Sequence, residues 1–356
     1  MKKIVTYLLA MLGLTTACGQ QSFENADVKG FAALTEDVNS VILDVRTVEE
    51  FKEGHIEGAL NIDQAQSDFI EKVQAALPKD KTVAVYCRSG RRSANAAEKL
   101  AAIGYRMVNL KGGIIAWKEA GMPVTTDMYE VDVFKTKSGK TVKFHALVHA
   151  SIRMEYDGKE IEIDPVTKLG NKSIDLAAMP KADYIFVTHE HGDHFDKEAI
   201  KQLSSDKTQL ITNQRCAEML GYGEIMVNGQ CSSLRSGTDG DDINVEAVPA
   251  YNISEGRTQF HPKGRDNGFI LTIDGLRIYI AGDTEDIPEM QNIKDIDIAF
   301  LPCNQPYTMT TEQLVRAAKT IKPKVLFPYH YGQTDVKVVA SQLTDSGIDV
   351  RIRHYE

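Results

Sequence analysis

Three histidines and an aspartate lie within the six residues 189–194, in the segment THEHGDH at 188–194. Imidazole nitrogens and carboxylate oxygens bind zinc and other borderline divalent ions. An apolar run at 184–187 precedes the segment, and a strand ending there would hold the ligands in a fixed geometry. A surface loop can carry solvated histidines, but four potential ligands at this spacing favour a metal site.

Two later apolar runs also end in a residue able to bind metal. Residues 278–281 lead into Gly282, Asp283 and Thr284, and residues 325–329 lead into His330. Ligands that are distant in sequence converge when their strands finish at one edge of a sheet. We therefore expect Asp283 and His330 to join the cluster.

The sequence pattern predicts that strands, with helices between them, position these residues. Alternating runs at 142–148 and 152–156 are followed by an Asp157-Gly158 hairpin turn into 161–164. Short apolar runs at 182–187, 276–281, 299–301 and 325–329 are typical of strands buried on both faces. The pattern predicts two sheets packed back to back with helices outside.

From about residue 131 to the C-terminus, this constellation resembles the metallo-β-lactamase superfamily, which implies an αββα sandwich. The segments HPKGRDNGF, AGDTE and FLPCNQPYTM are most similar to the branch that includes the ascorbate-6-phosphate lactonase. The resemblance implies one or two divalent metal ions, with Zn²⁺ expected first and Mn²⁺ or Fe²⁺ as alternatives. It assigns His189 and His191 to one ion, Asp193, His194 and His330 to a second, and Asp283 to a bridge between them.

Two such ions would share a water molecule, lower its pKa and polarise a substrate oxygen, and Asp193 could accept a proton. One departure concerns the first ion. The family usually supplies a histidine from the middle of the domain, but the segment VPAYN at 248–252 has none, so Asn252 or His261 would have to complete that site. His149 follows an early strand, where it could serve the metals or be a structural histidine.

The first half of the chain has a different pattern, in which short strands alternate with helices. Strands are expected at 41–45 and 83–86, with a helix at 93–102, as in a parallel α/β sheet. The loop CRSGRRS at 87–93 lies between the second strand and its helix. Backbone N–H groups, a helix N-terminus and three arginines would favour an anion there.

This half resembles a rhodanese domain, through LDVR at 43–46, EFKEGHIEGALNI at 50–62, the CRSGRRS loop and LKGGIIAWKEAGMPV at 110–124. The resemblance implies that Cys87 carries sulfur as a persulfide, taken from a sulfur donor and passed to a thiol acceptor. Phosphatase relatives have one more loop residue, which disfavours that activity. The residues expected to bind the persulfide or substrate are Arg88, Ser89, Gly90, Arg91, Arg92 and Ser93.

The N-terminus indicates export. Lys2 and Lys3 precede an apolar stretch at 4–14 that is too short to span a bilayer. Residues 15–18 resemble the lipobox of bacterial lipoproteins, which implies a lipid anchor on Cys18; Thr15 departs from the usual aliphatic residue, so secretion without an anchor is the alternative. We predict a signal peptide at 1–18, a rhodanese-like domain at 19–126 and a metallo-β-lactamase-like domain at 127–356.

The net charge and the cysteine spacing limit the classes of partner that this protein is expected to bind. The formal net charge is −9 and no basic run occurs outside the leader, which argues against a nucleic-acid partner. Cys216, Cys231 and Cys303 are spaced singly and are expected to be buried structural residues. The expected partners are a small-molecule substrate, a sulfur donor, a thiol acceptor and a membrane.

These features predict a membrane-anchored, metal-dependent hydrolase combined with a rhodanese-like sulfurtransferase. One alternative is an iron-dependent persulfide dioxygenase with a rhodanese partner domain. Against it stand the missing mid-domain histidine, Gly192 where those enzymes typically have alanine, and the domain order. Another alternative is a hydrolase whose rhodanese domain binds or senses a partner without turnover. The sequence leaves the hydrolase substrate open among lactone, phosphodiester, amide and thioester.

Overall fold

The computed structural model describes residues 23–126, 129–170, 172–234 and 243–355. The predicted signal peptide and Cys18 lie outside these described residues. None of the helices in the described part of the chain combines the length and apolar character that a membrane span requires.

The first half of the described chain is built on a parallel sheet with strand order β1-β5-β4-β2-β3. Its strands are β1 (Glu24–Ala26), β2 (Ser40–Asp44), β3 (Ala59–Asn61), β4 (Thr82–Tyr86) and β5 (Arg106–Leu110), and its helices are α1 (Val28–Thr35), α2 (Val48–Lys52), α3 (Phe69–Ala76), α4 (Arg91–Ala101) and α5 (Gly113–Glu119). Side chains of β4 alternate between two cores: Val83 and Val85 pack on one face, and Ala84 and Tyr86 on the other. Burial on both faces confirms the predicted α/β domain with flanking helices.

The second half contains two seven-stranded sheets within the described residues, ordered β14-β13-β12-β9-β8-β7-β6 and β15-β16-β17-β18-β19-β20-β21. The strands of the first sheet are β6 (Glu130–Lys135), β7 (Thr141–Val148), β8 (Ser151–Tyr156), β9 (Lys159–Ile163), β12 (Tyr184–Val187), β13 (Gln209–Thr212) and β14 (Glu224–Ile225), and β10 (Lys168–Leu169) pairs with β11 (Lys172–Ser173). The strands of the second sheet are β15 (Cys231–Leu234), β16 (Ile243–Ala250), β17 (Asp266–Ile273), β18 (Leu276–Ile280), β19 (Ile298–Pro302), β20 (Val325–Tyr329) and β21 (Asp349–Val350). The helices are α6 (Lys197–Leu203), α7 (Gln214–Leu220), α8 (Thr311–Ile321) and α9 (Lys337–Gln342), with 3-10 turns at Leu176–Ala178 and Pro288–Asn292.

The main core lies between these two sheets. Phe186 of β12 packs against Phe269 of β17 with ring centroids 5.3 Å apart, and Phe300 stacks on Phe327 at 4.9 Å. The alternate residues of β12 point outward into a smaller core that includes α6. This arrangement confirms the predicted αββα sandwich.

The sequence missed some elements and misplaced others by a few residues. The structure adds strands β16, which ends within the VPAYN segment, and β17, which follows it. Buried residues of β16 partly alternate, whereas β17 is buried almost throughout. Helix α4 begins at Arg91, two residues before its predicted start, because Gly90 has a left-handed φ of 88° and ends the preceding loop there.

The two halves touch where the loop that precedes β3 meets the outer face of the first seven-stranded sheet. Within the first half, His55 and Thr125 exchange two backbone hydrogen bonds of 2.8 Å beside this loop. Across the contact, the Glu57 carboxylate pairs with the Lys143 ammonium of β7. Beside this pair, His145 donates to Glu155 at 2.7 Å and lowers the pKa of that carboxyl to about 2. Charged side chains therefore line this contact.

Candidate metal centre

Strand ends from both sheets meet at one point of the sandwich. The segment after β12 supplies His189, His191, Asp193 and His194; the segment after β18 supplies Asp283; and His330 follows β20 directly. Their potential ligand atoms form two groups, in each of which the atoms lie within 4.8 Å of one another: His189, His191, His261 and Asp283, and then His149, Asp193, His194 and His330. The structure thus brings together all six metal ligands expected from the sequence.

Asp283 lies between the two groups. Its Oδ2 is 3.3 Å from His261 Nε2 in the first group and 3.4 Å from His330 Nε2 in the second. Its Oδ1 is 3.2 Å from His194 Nε2. Burial alone would raise the pKa of this carboxyl, but His330 and His194 outweigh it and hold the pKa well below the usual range. Asp283 is therefore an anion in the position of a bridging ligand.

Several ligand atoms at the centre are buried without a hydrogen bond. Among the described residues these atoms include the Nε2 of His194, His261 and His330 and the Oδ1 of Asp283, whose close approaches to one another lack hydrogen-bond geometry. A buried polar atom without a partner costs about 1–3 kcal/mol. Divalent cations would satisfy all of them at once, and imidazole with carboxylate is a donor set that Zn²⁺, Mn²⁺ and Fe²⁺ accept. The residues present fit the expected metals.

Carboxylates behind the centre orient two of the imidazoles. Asp164 lies 2.8 Å from His194 Nδ1, and Asp266 lies 3.1 Å from His261 Nδ1. A carboxylate that accepts the Nδ1–H leaves Nε2 free to face a metal ion. Burial would lower the pKa of His194, but Asp283 and Asp164 raise it well above the usual value. The strong negative charge around His194 is the charge that a cation would balance.

Asp164 also ties the centre to the sheet. It follows β9 with a left-handed φ of 45°, and it accepts hydrogen bonds of 2.7 Å from the Thr188 N–H and hydroxyl. Thr188 in turn lies 3.0 Å from His189 Nδ1. This strained aspartate therefore locks the start of the metal-binding segment.

His261, not Asn252, lies among the ligand atoms of the first group. The Asn252 side-chain amide donates to the carbonyls of Tyr307 at 2.8 Å and Arg257 at 3.3 Å, which links two loops. The backbone N–H of Asn252 also donates to the His261 carbonyl at 2.9 Å. The sequence left both residues open; the HPKGRDNGF segment, with an aspartate five residues after its histidine, was the signal that could have decided between them.

A third group of possible ligands lies at the contact between the two halves. Glu57, His145 and Glu155 place their atoms within 4.8 Å of one another. Lys143 already pairs with Glu57, and Arg153 lies 3.0 Å from Glu155. These cations neutralise the carboxylates, so we assign this group to the contact and not to a metal.

In the other half, the CRSGRRS loop surrounds a buried thiol. Cys87 Sγ accepts hydrogen bonds from the Gly90 N–H at 3.2 Å and the Ser93 hydroxyl at 3.3 Å. Arg88, Ser89 and Arg91 are exposed around it. The loop thus presents donors to a negative sulfur and cations to solvent.

One of the three loop arginines is already neutralised. Arg92 forms a bidentate ion pair with Glu50, with N–O distances of 2.6 and 2.7 Å. This interaction raises the Arg92 pKa and lowers that of Glu50. Arg88 and Arg91 are therefore the cations exposed for an anionic ligand, and Arg92 anchors the loop to α2.

Of the three cysteines expected to be buried, two are. Burial raises the pKa of Cys216 and of Cys303 to about 12, which keeps both thiols protonated. Cys231 is exposed, and the expectation is wrong there. It starts β15, which among the described residues is the edge strand of the second sheet.

The fold and the two centres define a metallo-β-lactamase-fold protein with an N-terminal rhodanese-like domain. Family comparison agrees on both halves: residues 143–330 match the model described as beta-lactamase superfamily domain, and residues 27–120 match the rhodanese-like domain. The chain therefore belongs to the β-lactamase superfamily, as one of its metal-dependent hydrolases.

Three relatives illustrate the match. A UPF0173 metal-dependent hydrolase of Archaeoglobus fulgidus is 30% identical over 225 residues, which are 59% of this chain and 94% of the relative. The crystal structure of a metal-dependent hydrolase from Parabacteroides distasonis is 50% identical, with a TM-score of 0.60, and the match covers 64% of this chain and all of that one. Igni18, a metallo hydrolase from Ignicoccus hospitalis, is 27% identical, with a TM-score of 0.50. The match covers 59% of this chain and 94% of the Igni18 chain.

Proposed function

We propose that this protein is a dinuclear metal-dependent hydrolase joined to a sulfurtransferase that uses Cys87, on an exported chain anchored through a lipid on Cys18. The observation that carries the hydrolase is the pair of histidine and aspartate groups that share Asp283, in which the buried Nε2 atoms of His194, His261 and His330 lack hydrogen bonds. The expected metal is Zn²⁺. The similarity of HPKGRDNGF and AGDTE to the lactonase branch makes a lactone the first substrate class to test.

In the hydrolase, His189, His191 and His261 would hold one ion, and Asp193, His194 and His330 the other, with Asp283 shared. The bound ions would supply a nucleophile at neutral pH and polarise the substrate oxygen. The Asp193 side chain is 31% exposed, whereas that of Asp283 is 3% exposed. Asp193 is therefore the carboxylate placed to meet the substrate and to take or return its proton.

Elemental analysis of the purified chain tests this hydrolase. We expect about two equivalents of zinc or manganese in the wild type. His194→Ala should lose the second ion and hydrolysis, whereas His354→Ala, which alters a histidine with an 81% exposed side chain, should keep both. Activity would be screened on lactone, phosphodiester, amide and thioester substrates. A single iron would favour the persulfide dioxygenase, and a metal-free wild type would refute the hydrolase.

The proposed sulfur transfer has two steps. The Cys87 thiolate attacks the outer sulfur of thiosulfate, so that an S–S bond forms at Cys87 and sulfite leaves with the electron pair of the broken bond. A thiolate or cyanide acceptor then attacks the outer persulfide sulfur and returns the Cys87 thiolate. The Gly90 N–H and the Ser93 hydroxyl stabilise the Cys87 thiolate before the first step and after the second, while Arg88 and Arg91 attract the anionic donor.

Thiosulfate:cyanide transfer by Cys87→Ser tests this step, with Cys231→Ser as the matched control because Cys231 is an exposed cysteine outside the loop. We expect Cys87→Ser to abolish transfer and Cys231→Ser to retain it. Activity that does not depend on Cys87 with any donor would favour a rhodanese domain that only binds or senses a partner.

Export is tested separately in cells. We expect the full chain to fractionate with membranes and to incorporate a labelled fatty acid, and Cys18→Ala to lose both properties. Recovery of the wild type as a secreted, unlabelled protein would favour cleavage without an anchor.

A further inference from the structure

We propose that His149 is a positioning residue: its Nε2–H donates to Asp193 and holds that carboxylate in place for the second metal ion. The proposal rests on the hydrolase function above, and it adds a role that the six expected ligands do not include. His149 lies in the corner between β7 and β8, and its Nε2 is 3.2 Å from Asp193 Oδ2. Because a carboxylate accepts and does not donate, the imidazole nitrogen is the donor.

Asp193 needs such an anchor. Its Oδ2 lies 3.4 Å from His330 Nε2 and 3.9 Å from His194 Nε2, so this oxygen faces the second ion. A carboxylate oxygen has two lone pairs, one for an ion and one for a hydrogen bond. The residue sits on a loop and is partly exposed, so without the bond from His149 the side chain could rotate away from its ligand position.

Ring geometry separates a positioning role from direct ligation. Imidazoles that share one ion direct their nitrogens at a common centre and keep their rings apart. The rings of His189, His191 and His261 are 4.7 to 4.9 Å apart, and those of His194 and His330 are 5.0 Å apart. The His149 ring instead packs on His330 at 3.7 Å and is 6.2 Å from His194. His149 lies with the second group, but its Nε2 already has a hydrogen-bond partner in Asp193, whereas the Nε2 atoms of His194 and His330 have none among the described residues. We therefore take His149 to brace the ligands of the second group.

Two hydrogen bonds also hold the backbone of His149 in the conformation that places its ring beside Asp193. Its φ of 55° is left-handed, a conformation that costs about 1–3 kcal/mol when a residue with a large side chain is forced into it. Its N–H donates to the Tyr355 carbonyl at 2.9 Å, and its carbonyl accepts from the His330 N–H at 3.1 Å. The second bond ties His149 directly to a metal ligand, so the two histidines form one rigid unit.

Two substitutions isolate the hydrogen bond. In His149→Asn the amide is too short to reach Asp193, but asparagine tolerates the left-handed φ. In His149→Gln the amide nitrogen reaches about as far as Nε2 and can donate in its place. The measurements are the affinity of the second ion, by chelator competition with Zn²⁺, and the visible spectrum of the Co²⁺-substituted protein, which reports the donor set.

We expect His149→Asn to lower the affinity for the second ion by about 10- to 100-fold, and His149→Gln to recover most of that affinity. The first ion should stay bound, and the Co²⁺ spectrum of His149→Gln should resemble that of the wild type. An unchanged affinity in His149→Asn would overturn the proposal. So would loss of the second ion in both variants together with a spectrum that has lost a nitrogen donor, which would make His149 a ligand. A wild type without metal would instead refute the hydrolase itself.

Discussion

At the scale of single residues, the metal centre depends on pairs in which a carboxylate orients an imidazole. Asp266 holds His261, and Arg265 in turn holds Asp266 through two hydrogen bonds of 2.6 and 2.8 Å. The arginine keeps the carboxylate fixed and charged in a buried place, where an unpaired charge would be costly. The proposed first ion would thus depend on a chain of three residues, His261, Asp266 and Arg265.

His261→Ala should lower the metal content by about one equivalent, because it removes an imidazole whose Nε2 has no other partner among the described residues. Asn252→Ala should keep both ions, since its side chain links loops. Metal analysis of the two variants after gel filtration distinguishes them. Loss of the ion in Asn252→Ala alone would show that the amide, and not the imidazole, completes the first site.

At the scale of elements, strand β9 has one face for each layer of the sandwich. Ile161 and Ile163 point into the core between the sheets, whereas Glu162 points outward and is fully buried. Burial raises the pKa of Glu162 to about 8, and neither of its oxygens has a hydrogen-bond partner among the described residues. Arg153 opposes this shift and Glu160 adds to it.

Glu162→Gln should therefore change how stability depends on pH. Between about pH 4.5 and 8 the folded protein keeps the Glu162 proton while the unfolded chain loses it, so rising pH destabilises the wild type, in total by roughly 3–5 kcal/mol. The amide variant cannot ionise and should be the more stable protein above about pH 8. Urea unfolding at several pH values measures this; parallel curves for both proteins would show that Glu162 is charged in the folded state.

Helix α5 constrains the CRSGRRS loop through its first residue. Gly113 has a φ of 60°, and a Cβ there would lie 2.4 Å from the Cys87 carbonyl oxygen and 2.6 Å from that of Arg88. Those two carbonyls accept hydrogen bonds from the N–H groups of Ile114 and Ile115. The helix therefore packs directly on the backbone that carries the Cys87 thiol.

Gly113→Ala should destabilise the first domain and reduce sulfur transfer. Its control is Gly104→Ala, which has a φ of 95° but no atom within 4 Å of the added Cβ. Both carry the backbone cost of about 1–2 kcal/mol, and only Gly113→Ala adds an overlap worth about 1–3 kcal/mol. Thermal unfolding and the thiosulfate assay measure the difference; equal effects would mean that the loop moves aside without cost.

At the scale of the whole molecule, strand β4 has the CRSGRRS loop at one end and a contact with the second half of the chain at the other. Cys87 follows β4, whereas Lys81 precedes it. The pKa of Lys81 is lowered by burial and by Arg351 of the hydrolase half. A strand of five residues therefore separates the thiol from that contact, and the loop is open to donors and acceptors from solution.

The ion pair between Glu57 and Lys143 should couple the two domains weakly. The pair is partly exposed, so a double-mutant cycle with Glu57→Gln and Lys143→Met should give about 0.5–1 kcal/mol. Sulfur transfer should be unchanged in both variants, because neither residue is among the groups that hydrogen-bond to Cys87 Sγ. The coupling free energy is measured from unfolding curves monitored by the fluorescence of the single tryptophan, Trp117. A fall in the rate of sulfur transfer would show that the ion pair affects the CRSGRRS loop.

The sequence by itself determined both fold classes and the residues that bring chemistry, because strand periodicity and the types and spacing of His189 to His194 and of the CRSGRRS loop are local properties. It also determined that Asp283 and His330 end buried strands. Only the tertiary structure decided that His261 stands with the first group, that His149 braces Asp193, and that Glu50 neutralises Arg92. Each of these contacts joins residues from separate segments of the chain, and the packing of strands and helices, not the order of residues, sets the distance between them.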